Sequence, residues 1–600
     1  MSRLWLCLCL LPFPLMANTF SQAEQDPLTE AQRHSRFLTQ STFGPSVDSI
    51  NSLKNTPYSE WFTEQLNLPK TFASPLIEGF SVAGEHGAGM AFWQNAITAK
   101  DQLRQRMAFA LSQIFVISDF NENQLFDHPN AVAAYQDLLT EHAFGNYRDL
   151  LEAVTYSPAM GYYLTYMGSE KGDKETGRVP DENYAREILQ LFSIGLVELN
   201  PDGTPVLNAN AKPVETYSNQ DITGLAKVFT GLNLNETDFY DEEGDLREDV
   251  LARLNLDEVF FDEEELDEEE RLEGAIENLR FTLPMETFED SHSDLEKRFL
   301  GLTIAADTQA KGSISLALDH IFNHKNVAPF ISRQLIQRFV TSHPSPQYVK
   351  RVAQSFHIGR FQLPNGDWVG AGKRGDLSAT LAAILFDENA RADSHNDQVS
   401  KQFGKVREPI LRFTAWARAF DLNAVTPLYM FNLWDTSSNT DLGQHPYRSP
   451  TVFNYYQPHY IAQGSQTGMA NLNMPELQLV NASTIPSYIN FMSFFINGGM
   501  REEEYLEEYQ AFIEEEELDL SLQKVKQSFY APYGREVALA DQPWALVAHL
   551  DTLLTYGRLS SKSKHRIKKA ITLIPVREKQ ARVKMAILMV MTSPEFLVQG

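Results

Sequence analysis

Cysteine is almost missing from this chain. Its 600 residues include two, Cys7 and Cys9, both among the first nine positions. A chain that sheds its opening residues would hold none, which excludes disulfides, cysteine nucleophiles, iron–sulfur clusters and thiolate zinc sites. Basic residues are scarce too: 51 Lys and Arg face 79 Asp and Glu, for a net charge of −28. Nucleic-acid binding runs on basic patches that neutralise phosphate, so no nucleic-acid partner is expected. Beyond the opening segment no stretch approaches the ~18 apolar residues of a spanning helix, so the rest of the chain is expected not to cross a membrane. Glycine and proline are neither depleted nor enriched, and 43% of residues are hydrophobic, which is a globular composition.

The opening segment has its own pattern. Met1–Met16 carries one positive charge, Arg3, then a short apolar run from Leu4 to Phe13, then small residues at Ala17, Ser21 and Ala23. A charged start, an apolar stretch too short to span a bilayer and a small-residue exit are the marks of a secretory signal peptide. Residues 1–17 are read as that signal, with cleavage as late as residue 23 the alternative. No arginine pair precedes the apolar run, so the general secretory route is expected, with a periplasmic or secreted destination.

The remainder reads as mainly α: a multi-helix globular protein with a few short β-hairpins and an acidic insertion. Asp101–Ile117 sets Leu103, Met107, Ala110, Leu111 and Ile114 on one stripe, and Asp181–Ile194 follows Pro180 and stops at Gly195. Gly312–Val340, Pro409–Phe420, Trp544–Tyr556 and Glu578–Met591 repeat the helical period. Val197–Leu199 and Pro205–Leu207 flank Asn200-Pro-Asp-Gly203, which predicts a hairpin. Residues 238–273 hold eighteen acids against three arginines, so more than half of the net charge sits in one block. It is read as an insertion, partly helical because Leu251, Leu254, Val259 and Phe260 interleave the charges. Glu502–Asp519 is a second acidic stretch. With no linker rich in Pro, Ser or Gly, residues 24–392 and 405–600 are expected to form the N- and C-terminal helical parts of one domain, with a soft polar boundary near 390–404.

Motifs that would name a reaction are absent. There is no G-x-S-x-G elbow and no H-E-x-x-H helix. Gly366–Arg374 has the wrong glycine spacing for a phosphate-binding loop, and Arg374 stands where Ser or Thr would hold Mg²⁺, so it reads as a basic surface loop. The loop from Glu198 to Gly203 partly imitates a calcium loop, but Ala209 occupies the position of the bidentate carboxylate. No cofactor is predicted; Ca²⁺ on clustered carboxylates is the one cation considered. His320 and His324, with Asp319, are the candidate metal ligands, the two histidines four apart on an expected helix as zinc or copper sites require, but with no third ligand identifiable. Glu182, Arg186 and Glu187 form the densest polar constellation beside an apolar face, and with His142 and His292 they are the candidate catalytic residues. The aromatic segment Asn454–Tyr460 could offer a stacking surface to a partner or a glycan.

Several pieces, none specific alone, recur in a fixed order: Arg36–Gly44, Leu103–Met107, His142–Leu151, Ser157–Met160, Asp181–Gly195, Val228–Gly231, His292 with Lys297, Phe322–Val327, Lys405–Pro409, Leu442–Gln444, Ser449–Asn454 and Ser593–Phe596. In this order the chain resembles, from about residue 31 to 599, the bacterial family of a domain of unknown function known as DUF1800. The resemblance implies an exported, mainly helical protein and implies no reaction. It also implies a companion, a second exported protein similar to the sulfatase and alkaline-phosphatase fold. Two departures stand out. Ser112 and Ile114 replace a histidine pair of many relatives, and Ser293 replaces the acid that usually follows His292. The expected function is therefore a non-catalytic binding or accessory protein, acting with another exported protein or a cell-envelope polymer. The alternative is a carboxylate-dependent hydrolase or lyase on an extracellular polymer.

Overall fold

The structure is a computed structural model. It describes residues 27–77, 84–121, 123–235, 239–241, 246–247, 250, 268–393, 402–422, 433–499, 510–511, 513–514 and 530–600. The signal segment 1–17 and its later cleavage site, most of the acidic block 238–273, most of Glu502–Asp519 and the polar stretch after Asp393 lie outside the described residues.

Helices make up 53% of the structure, and its sheets are short two-stranded ones. The helices start where a side chain can take up their free N–H groups. Asn146 accepts from Arg148 N at the start of Tyr147–Thr155, and the helix then buries Leu150, Leu151 and Val154 at helical spacing. Asp376 caps Leu377–Leu385, every residue of which is buried. Helix Asp181–Ile194 of the sequence reading is shorter in the structure, Asn183–Gln190, and Gly195 closes it at φ 69°.

The helix expected over 312–340 is two, Ala310–Asn323 and Val327–Phe339. His324 is extended (φ −60°, ψ 141°), and the chain restarts after Asn326. The cause is tertiary. Asn326 is fully buried; its amide donates to Ile194 O and Val197 O, both at 2.8 Å, and accepts from Leu199 N at 2.9 Å. One side chain thus pins the predicted hairpin to the bundle, and a continuous helix would have carried it away. The hairpin itself forms around Gly203, with bridges Leu199↔Pro205 and Leu207↔Pro213.

Two strand pairs join distant parts of the chain. Leu232–Asn233 pairs with Glu286–Thr287, so the chain enters and leaves the acidic block at one place. Lys405–Val406 pairs with Val598–Gln599. A single apolar core runs from Phe37 to Phe596 and draws on both halves of the sequence. A small satellite of Phe239, Val250 and Ile276 lies beside it. Among the described residues no helix is long and apolar enough to cross a membrane.

Candidate functional site

A cavity of about 680 Å³ lies where helix Val327–Phe339, the turn after helix Gln102–Ser112, the 195–205 hairpin and the 452–459 segment meet. Leu191, Val197, Leu199, Phe330, Val452 and Phe453 give it an apolar wall. Its polar groups include Gln113, Arg333, Gln334, Arg338, Tyr456 and Asn473. Leu196 and His459 are exposed at its rim. This size and this mixture, mostly apolar with a few placed polar groups, are those of small-ligand sites, which run ~300–1,000 Å³. The aromatic segment Asn454–Tyr460 forms one side of it, with Tyr456 buried.

Beneath the cavity lies a buried ionic network. Lys405 Nζ sits 3.4 Å from Glu408 and 3.3 Å from Glu476, and all three are excluded from solvent. Glu408 also accepts from Gln444 at 2.8 Å and from Gln113, whose amide reaches Tyr456 Oη at 3.1 Å. Glu476 accepts from Ser342 at 2.7 Å. Burial pushes the Glu408 carboxyl up, but Lys405, Arg106 and Gln444 pull it further down, and it ends below its ordinary value. Burial prevails at Glu476, which is raised despite Lys405. Fully buried Arg106 is lowered to about 10 and still carries its charge at neutral pH. Its guanidinium lies over the rings of Phe339 and Phe109 and donates to Arg338 O. Arg338 in turn donates to Gln334 O and Gln113 O at 3.0 and 2.8 Å.

Among the described residues, four solvent-shielded atoms here have no hydrogen-bond partner: Arg333 Nε, Gln334 Nε2, Arg338 Nε and Gln113 Oε1. Unmet buried polar groups are uncommon in folded proteins. Pieces of the chain quoted above for their order, Leu103–Met107, Lys405–Pro409, Leu442–Gln444 and Ser449–Asn454, converge here through Arg106, Lys405, Glu408, Gln444 and the strand of residues that leads into the cavity wall. Sequence reasoning singled out none of Arg333, Gln334, Arg338, Glu408 or Glu476 as site residues. Their signal was an unusual density of charge within apolar helices, as in Phe330–Phe339.

The residues that sequence reasoning did single out sit in separate places. Glu182 and Arg186 form a half-exposed pair at 3.5 Å, and Glu182 also accepts from Thr223 at 2.7 Å. Glu187 is buried, one of its oxygens has no hydrogen-bond partner among the described residues, and burial raises its carboxyl. His142 lies at the end of helix Pro129–His142 beside Glu141 and Asp149, and burial lowers it. His292 is buried between Thr230 and Ser313, its Nδ1 held 2.8 Å from Thr230 O, and burial lowers it as well. Among the described residues no hydrogen bond or ion pair joins either histidine to Glu182, Arg186 or Glu187. Asp319 pairs with Arg148 at 2.6 Å, His320 meets Leu300 O at 2.9 Å, and His324 lies past the helix end, so the i,i+4 face expected for the two imidazoles does not form. Among the described residues no group of three or more His, Cys, Asp or Glu is arranged to hold a metal ion. In the Glu198–Gly203 loop Asp202 is spent on Thr204. Arg374 of the glycine-rich loop is half-buried and donates to Phe322 O and His324 O, closing the end of the preceding helix.

A family model described as protein of unknown function (DUF1800) matches residues 36–598. No curated protein and no solved structure matches the chain.

Proposed function

Because the chain belongs to this family of proteins of unknown function, its role has to be read from its own site, and we propose that it is an exported, non-catalytic binding protein that holds a small organic ligand in the cavity above Lys405, Glu408 and Glu476. The observation that carries the reading is the cavity itself: about 680 Å³ and largely apolar, with a few polar side chains in its wall. The ion pairs of Lys405 with Glu408 and Glu476 tie the floor together. The charged and then apolar opening of the sequence supports export. Work with a second exported protein stays part of the proposal, as the family resemblance implies. The hydrolase alternative gains no support from Glu182, Arg186 and Glu187, of which two are paired at the surface and the third is buried apart from either histidine.

Native mass spectrometry of the protein recovered from its own cells tests this. One small molecule retained per chain and released on unfolding is the expected result. A mass equal to that of the bare polypeptide, with no ligand taken up from a cell extract, would refute the reading. Any exported protein that copurifies in the same experiment would identify the companion.

A further inference from the structure

We infer that the ligand of this cavity is an amphiphile with an anionic head, held by Arg333, and an apolar body lying against Leu199, Phe330 and Phe453; the inference rests on the cavity being the binding site. Charge is its first support. In a chain with 79 acidic residues, the residues lining the cavity include two arginines and no Asp or Glu. The second support is Arg333, a half-buried cation in the cavity wall. Arg333 gives one N–H to Asn473 Oδ1 at 3.0 Å, while its Nε has no partner. Gln334 Nε2 and Arg338 Nε on the same helix also lack partners among the described residues, but all three atoms are shielded from solvent, so it is the charge of the guanidinium that faces the cavity. Burial disfavours the charge on Arg333, and among the described residues no carboxylate pairs with it.

A half-buried cation in a cavity wall calls for an acceptor that is itself charged, since such bonds are roughly twice as strong as neutral ones. A cationic head would be repelled, and a neutral hydroxyl would leave the charge of Arg333 unanswered. The apolar wall fixes the rest of the molecule as hydrocarbon or aromatic. A carboxylate and a phosphate monoester share the required chemistry, and the experiment separates them.

Isothermal titration of the whole protein with decanoate, decyl phosphate, decanol and decylamine is the test, each probe kept below the concentration at which it forms micelles. At least one of the two anions is expected to bind about tenfold or more tightly than decanol, the contribution of one charge-assisted hydrogen bond, and decylamine is expected not to bind. The tighter anion tells a free acid from a phosphorylated ligand. Arg333→Gln should bring the anion down to the affinity of decanol, and Arg333→Lys should keep part of the preference. Decanol binding as tightly as both anions, or an unchanged preference in Arg333→Gln, overturns the anionic head and leaves the cavity as the binding site. Binding of none of the four by the folded wild-type protein overturns both. Should Arg333→Gln fail to fold, the ranking of the four probes on the wild type decides.

Discussion

Glu408→Gln keeps the shape of that side chain while removing its charge, and would leave Lys405 and Arg106 buried with Glu476 as the remaining acid of the network. Breaking a buried pair from one side typically costs about 3–5 kcal/mol, so the midpoint of urea unfolding is expected to fall by that equivalent. A loss below 1 kcal/mol would mean that water reaches the network. A second residue ties stability to pH. Asp119 and Asp435 share Arg448, at 3.2 and 3.0 Å. Asp119 is the more buried of the two; burial raises it from 3.8 to about 7, and the charge of Asp435 adds to the effect. A carboxyl raised on folding binds its proton more firmly in the native state, so its contribution is full below about pH 4 and is lost as the pH rises through 7. Asp119→Asn should remove that dependence. The stability of wild type relative to the variant is expected to decline between about pH 4 and 7 in urea titrations, and equal slopes would contradict the assignment. Neither network was legible beforehand. The sequence displays i,i+4 neighbours such as Glu182 and Arg186, whereas Glu408 meets Gln113, Gln444 and Glu476 only through the fold.

At the scale of the element, helix Asn219–Ala226 packs on strand Lys297–Phe299 so closely that a Cβ on Gly224 would lie 1.8 Å from Arg298 O. The contact is with backbone, which cannot swing aside. Gly224→Ala is therefore expected to destabilise by at least 1–3 kcal/mol, the usual cost of overpacking, although alanine is the better helix former. Thermal melting measures this, and a stabilised variant would show that helix and strand are not in contact. Element type was readable where the apolar period was long and the caps local: Pro409–Ala419, Pro543–Thr555 and Lys579–Met591 fall within a residue or two of their expected bounds. It was not readable at His324, where nothing nearby breaks the period and Asn326 answers to carbonyls more than a hundred residues away.

Across the whole molecule, Lys405–Val406 depends on Val598–Gln599, and Gln599 also donates to Phe339 O at 2.8 Å, at the end of the helix that carries Arg333 and Arg338. Deleting residues 598–600 should therefore loosen the cavity as well as the local strand. Calorimetry of the wild type is expected to show one transition, because a single core spans both halves. The deletion is expected to lower its midpoint and to weaken ligand binding together, and an unchanged melt would show that the strand pair bears no load. The pairing also sets a schedule for biosynthesis. A ribosome that has delivered Lys405 must work for roughly ten to forty seconds more, at ~5–20 residues per second, before Gln599 exists. Through that interval the nascent chain holds a buried-type lysine with no strand beside it, so the centre of the molecule is assembled late, from a nearly finished polypeptide.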